Sequence, residues 1–191
     1  MTDALDTDPA TPPLDSFDGI VYDLDGTLVR LLVDWDAVAH DVAARFREHR
    51  VDASDHDLWA MLDLADEHDL RAEVEAVIGE HERTGARNST RLPLADRLDT
   101  HAVPVGVCSL NCEASVRVAL ETHDLTEWVD AVVGRDTVAT RKPDPEPLLA
   151  TLHAIGVDPE GAVFVGDSPR DRTTAERAGV AYRSVESFRT E

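Results

Sequence analysis

Lysine is almost missing from this chain: of its 18 basic residues only Lys142 is a lysine, and the rest are arginines. Cysteine is scarce at two residues, and aromatic residues make up only 5%. Cys108 and Cys112 lack the paired spacing of a zinc site and read as small buried thiols rather than a disulfide. No apolar run approaches the roughly 20 residues that span a bilayer, so no membrane partner is expected. The opening MTDALDTDPATPPLDS has neither a basic stretch nor an apolar one, which argues against a secretory signal and for a cytoplasmic location. Positive charge is also short. Against 39 acids the formal charge is −21, so nucleic-acid phosphates would be repelled and no nucleic-acid partner is expected. The acids are spread along the chain. Together with arginine in place of lysine, that spread reads as a halophilic surface, because at ~1 M salt the screening length is only about 3 Å. A merely acidic soluble protein is the plainer alternative.

What remains is an ordinary globular composition, 42% hydrophobic over 191 residues, enough for one core domain and a small accessory module. Residues 1–16 carry little apolar content and are expected to be a disordered lead. Gly19, Ile20, Val21 and Tyr22 read as a buried strand. From residue 34 to 90 the period changes. Trp35, Val38, Val42 and Phe46 form one amphipathic set with Asp34 as its N-cap. Leu58, Met61, Leu62 and Ala65 form a second, with Ser54 as its cap, and Leu70, Val74, Val77 and Ile78 form a third. Three consecutive helices without a strand predict a separate small helical module.

Beyond it, strands and helices alternate: strands over 104–108, 131–133, 162–165 and 180–182, and helices over 113–123, 145–155 and 170–178. Continuous apolar strands separated by helices predict an α/β fold, a Rossmann-like doubly wound parallel sheet built from residues 17–33 and 91–191. Such sheets bind ligands beyond the carboxyl ends of their strands. The residues there are Asp23-Leu24-Asp25-Gly26-Thr27, then Ser109, then Lys142 in RKPDP, then Gly166-Asp167-Ser168-Pro169-Arg170-Asp171. Singly, each has a plain reading as a cap, a turn or an exposed cation. Jointly, carboxylates, a hydroxyl and an ammonium at one sheet edge suit phosphoryl transfer, with acids left over to hold Mg²⁺.

These segments, YDLDGTLV, VGVCSLN, RKPDP and VFVGDSPRD, resemble the four motifs of the haloacid dehalogenase superfamily over about residues 18–184. The whole is most similar to its phosphoglycolate phosphatase-like branch, whose members insert a helical cap after the first motif. The resemblance implies a Mg²⁺-dependent phosphatase. Asp23 is the expected nucleophile and Asp25 the acid and base, with Gly26 and Thr27 shaping the turn. Ser109 and the Leu110 N–H are expected on the phosphate, and Lys142 as its neutralising cation. The expected metal set is Asp23, the Asp25 carbonyl, Asp167 and Asp171. Asp25 favours a phosphorylated substrate over a halide, since only an alkoxide needs a proton. Arg172 with Thr173-Thr174, and Arg30-Leu31, depart from the usual pattern. The expected partner is a small phosphorylated metabolite, phosphoglycolate-like or a sugar phosphate, met by a monomer or homodimer. A phosphomutase of the same fold is the near alternative, for which cap cations such as Arg45, Arg47, Arg71, Arg83 and Arg87 would grip the substrate. A non-catalytic binding protein on this fold is the distant one.

Overall fold

The computed structural model describes residues 12–188. Five strands form one parallel sheet: β1 (Gly19–Tyr22), β4 (Val105–Cys108), β5 (Ala131–Val133), β6 (Ala162–Gly166) and β7 (Ala181–Ser184). Their spatial order is β5-β4-β1-β6-β7. Ile20 stands beside Val105 on one side of β1 and Val163 on the other. The order therefore reverses at β1, and a crevice opens beyond the carboxyl ends of β1, β4 and β6. Every residue of β1, β4 and β6 is buried, as expected where both faces of a parallel sheet are covered.

The covering helices are α4 (Glu113–Thr122), α5 (Glu146–Ile155) and α6 (Pro169–Ala178). One face packs Ile20, Tyr22, Val107, Val163 and Val165 against Val116, Ala119 and Leu120 of α4. The other packs Val21, Cys108 and Phe164 against Leu148, Leu152 and Ala175 of α5 and α6. Both thiols are buried and free, and burial pushes Cys108 up to about 12, so it is inert.

The inserted helices are α1 (Trp35–Glu48), α2 (Leu58–Glu67) and α3 (Arg71–Arg87). They bury a core of their own, including Val38, Val42, Phe46, Leu62, Val74 and Ile78. Asp34 caps α1 by accepting from the Asp36 and Ala37 N–H groups. The second helix differs from expectation: Asp57, not Ser54, is its cap and accepts from the Ala60 N–H. Ser54 instead turns back onto Asp52. A two-stranded antiparallel ribbon, β2 (Val29–Arg30) with β3 (Thr90–Arg91), joins the insertion to the sheet. Two-residue strands carry too little period to be read from sequence. Of the lead expected to be disordered, residues 1–11 lie outside the described residues, while Leu14–Ser16 form a 3-10 turn with Leu14 buried in the core.

Candidate active site

The Asp23 N–H donates to the Val165 carbonyl at 2.8 Å, so β1 stays in register with β6 for one residue past its end. The chain then turns tightly, with the N–H groups of Thr27, Leu28 and Val29 all directed at the Leu24 carbonyl. Gly26 sits in this turn at φ +83°, and a Cβ there would lie 2.0 Å from Asp167 Oδ2. Only glycine lets the turn adopt that backbone and also lets the Asp167 carboxylate lie against it.

Lys142 reaches the site from the loop after β5. Its ammonium donates to Asp23 Oδ1 at 2.8 Å, to Asp171 Oδ1 at 2.6 Å and to the Cys108 carbonyl at 3.1 Å. Its three N–H groups thus have three acceptors, and it is 3% exposed. Asp171 opens α6. Its Oδ2 accepts from the Ser168 N–H and hydroxyl, while Ser168 Oγ accepts from the Asp171 N–H, a reciprocal capping box. With both oxygens engaged, Asp171 aims Lys142 more than it offers itself to a ligand.

Carboxylate oxygens of Asp23, Asp167 and Asp171 lie within 4.8 Å of one another. Burial is the main force raising the Asp23 carboxyl, to about 7, with the Asp171 charge adding and Lys142 opposing. Burial, then the Asp171 charge, raises Asp167. Burial alone would lower Lys142, but Asp23 and Asp171 outweigh it and hold the ammonium above the usual lysine range. Three acids thus crowd one ammonium, and this hard oxygen donor set fits a small divalent cation such as Mg²⁺.

The other expected residues fall as follows. Asp25 Oδ1 accepts from the Leu31 N–H at 2.9 Å, so one of the departing residues orients the acid. Burial raises the Asp25 carboxyl, as a proton donor needs. Ser109 follows β4, is 3% exposed, and exchanges hydrogen bonds with Asn111. Leu110 follows it, half-buried in the same bend. Thr27 Oγ1 is buried with no hydrogen-bond partner among the described residues. Arg172 stacks 4.8 Å over the Tyr182 ring. Of the cap cations, Arg45, Arg71 and Arg83 pair with acids of their own module.

The sequence reading missed a second constellation: Arg135, Glu75, Glu82 and Asn111. Arg135 donates to Glu82 at 2.6 Å, to Glu75 at 2.7 Å and to the Leu110 carbonyl at 2.7 Å. The readable sign was Glu82, which continues the Val74, Ile78 spacing onto the buried stripe of α3.

An open parallel sheet with acids and an ammonium gathered at its switch point defines a Rossmann-like α/β protein with a candidate ligand site at that edge. Residues 20–185 match the model of the haloacid dehalogenase-like hydrolase family, and the chain belongs to that family, on its phosphoglycolate phosphatase-like branch. A phosphoglycolate phosphatase of Mesorhizobium japonicum is 30% identical over 87% of this chain and 82% of its own length. One from Rhodospirillum rubrum is 45% identical, over 47% of this chain and 37% of its own length, so that match spans little more than a third of the relative. Among solved structures, CbbY of Rhodobacter sphaeroides, in complex with xylulose-(1,5)bisphosphate, superposes with a TM-score of 0.58 at 19% identity. The match covers 88% of this chain and 85% of that one, and shows the shared fold. The family and the relatives make this chain an enzyme, a phosphoric monoester hydrolase.

Proposed function

We propose that the chain is a Mg²⁺-dependent phosphatase that hydrolyses a small phosphomonoester through an aspartyl-phosphate on Asp23. The observation that carries this is the contact of Lys142 with both Asp23 and Asp171, with Asp167 alongside. Asp23 attacks phosphorus in line, its Oδ–P bond forming as the ester P–O bond breaks. The departing alkoxide takes its proton from Asp25. Asp25, now a carboxylate, takes a proton from water as that water attacks phosphorus. The Oδ–P bond breaks, inorganic phosphate leaves, and both acids are restored.

Lys142 neutralises the nucleophile and the transferring oxygens, and Ser109 and the Leu110 N–H hold two of those oxygens. Asp23, Asp167 and the Asp25 carbonyl would hold Mg²⁺, with Asp171 in support. The metal would supply charge to offset the crowded acids and the phosphoryl group. The relatives named above favour a short phosphorylated acid or a sugar phosphate as substrate. Trp59 on α2 reaches residues next to the site. It lies 4.8 Å beneath the Arg170 guanidinium and 6.0 Å from that of Arg141, residues adjoining Asp171 and Lys142. The acidic composition supports a salt-rich cytoplasm as its setting, where the enzyme would act as a monomer or homodimer. A screen of phosphorylated metabolites with Mg²⁺, reading released phosphate and using Asp23→Asn as control, tests the function. Equal release by both proteins would overturn it.

A further inference from the structure

We infer that Glu82 and Arg135 are positioning residues that fix the Ser109–Cys112 turn, and so set the phosphate-binding donors from the inserted helix α3. This rests on the phosphatase reading above and adds two residues to it.

Glu82 is fully buried although it is charged. Its Oε1 accepts from Arg135 Nη1 at 2.6 Å and from Asn111 Nδ2 at 3.2 Å. Its Oε2 accepts from the Cys112 N–H at 2.9 Å and from Arg135 Nη2 at 3.3 Å. Arg135 Nη1 also donates to the Leu110 carbonyl at 2.7 Å, and the Arg135 N–H donates to the Asn111 carbonyl at 2.9 Å. Glu75, on the same face of α3, takes Arg135 Nη2 at 2.7 Å and Nε at 3.0 Å. The turn at the end of β4 is thus held at Leu110, Asn111 and Cys112 from one buried guanidinium and one buried carboxylate.

The orientation of Asn111 follows. A carboxylate only accepts, so the Asn111 amide must point its NH₂ at Glu82 and its oxygen at Ser109. Ser109 Oγ then accepts from the Asn111 N–H, and its single proton is held on Asn111 Oδ1, each at 3.1 Å, so a phosphate oxygen takes that proton in competition with Asn111. Glu82 therefore sets the Ser109 hydroxyl through one side chain. Arg135 fixes the Leu110–Asn111 peptide through its carbonyl, and so limits the rotation about Leu110 that would swing the preceding peptide, whose Leu110 N–H is the second expected donor. A buried pair costs desolvation of both charges, and packing alone could be met by apolar residues of similar volume. A pair whose charged side chains also hold three groups of a ligand-binding turn, the Leu110 carbonyl, the Asn111 amide and the Cys112 N–H, has a reason to be charged. Arginine suits this use because its planar fork reaches Glu75, Glu82 and the Leu110 carbonyl at once.

The test uses full-length wild type, Glu82→Gln, Arg135→Lys and Glu75→Gln, each melted first and assayed well below its midpoint. Three readings are taken: kcat and KM, competitive inhibition by inorganic phosphate, and the Mg²⁺ concentration for half activity. The expected result for Glu82→Gln and Arg135→Lys is a tenfold or greater fall in kcat/KM. It should come with a matching rise in the phosphate inhibition constant and little change in Mg²⁺ demand. Glu75 is partly exposed, so Glu75→Gln tolerates the lost charge and keeps the test alive if the buried variants do not fold; a fall of a few-fold is expected. Folded variants with unchanged kcat/KM and phosphate inhibition would overturn the inference and make the network structural glue. Wild type that neither releases phosphate from any monoester nor binds inorganic phosphate would overturn the phosphatase reading and this inference with it.

Discussion

Lys142 and Asp23, 119 residues apart in the chain, meet at 2.8 Å in the interior of the protein. Lys142 is the chain's sole lysine. In a protein that otherwise uses arginine, one compact ammonium at this point has a chemical reason. It places a point charge between Asp23 and Asp171, where a planar guanidinium would not fit the same three acceptors.

The first prediction concerns Asp23. Asp23→Asn keeps the shape and can still accept from Lys142, but an amide oxygen is a poor nucleophile. Turnover should fall to background while the far-UV circular dichroism and the melting midpoint stay close to wild type. Phosphate release within tenfold of wild type, from protein free of contaminating phosphatase, would refute covalent catalysis by Asp23.

Lys142→Ala should cost on the order of 10²–10³ in kcat, as loss of a preorganised charge donor does. It should also destabilise the protein by about 3–5 kcal/mol, since it leaves Asp23 and Asp171 buried without their cation. The two effects separate experimentally: Mg²⁺ should recover part of the stability and little of the rate. A rate loss below tenfold would make Lys142 peripheral.

The third prediction links metal to pH. Without metal, burial raises Asp23 from 3.8 to about 7, and Asp167 is raised as well. A carboxyl with a raised folded pKa binds more protons folded than unfolded. Its contribution to stability is therefore greatest at acid pH and declines as pH climbs from about 4 to about 7. Mg²⁺ must displace those protons. The midpoint gained on adding Mg²⁺ should thus be small at pH 5.5 and larger at pH 7.5. Melts at both values, with and without chelator, check it, and an equal gain at both would contradict it.

A fourth prediction concerns Trp59. Its contacts with Arg170 and Arg141, together with the Arg141–Asp63 ion pair, tie α2 to the neighbours of Asp171 and Lys142. Two partly exposed cation–π contacts are worth about 1–2 kcal/mol. Trp59→Ala should loosen that attachment and lower kcat/KM about 5–30-fold, the range which that energy corresponds to. Steady-state kinetics decide it, and unchanged kcat/KM would mean that the attachment of α2 does not serve turnover.

The sheet was legible because buried parallel strands are continuous apolar runs, as in Ile20–Tyr22 and Val163–Val165. Asp23, Ser109 and Asp167 were legible because they follow those runs directly, and Lys142 because RKPDP lies a short way past the third. Three things were not. The ribbon of β2 and β3 is too short to show a period. The cap of α2 was expected at Ser54, but the helix starts later, at Leu58, so Asp57 takes that place. The Arg135 network joins residues 53 and 60 positions apart, so the sequence marks it only by one glutamate on an apolar stripe.

The last prediction concerns salt. Acids exceed bases by 39 − 18 = 21. Many surface arginines are already committed to neighbouring acids, as in Arg45–Glu48, Arg83–Glu80, Arg91–Asp96 and Arg117–Glu113. The excess carboxylates therefore repel one another across the folded surface. Raising salt from ~0.1 M to ~1 M shortens the screening length from about 10 Å to about 3 Å. That relieves the compact state more than the expanded chain, where charges stand farther apart. Salt also weakens the surface pairs, but each is worth only about 0–1 kcal/mol. The buried contacts of Lys142 and Arg135 are screened far less. Relief of repulsion should therefore win. The melting midpoint is expected to rise, and phosphatase activity to persist, as KCl goes from ~0.1 M towards ~2 M, where screening is nearly complete. Trp35 and Trp128 are each 40% exposed when folded, so far-UV circular dichroism follows unfolding better than tryptophan emission. A flat or falling midpoint would show that the acidic surface is not an adaptation to salt.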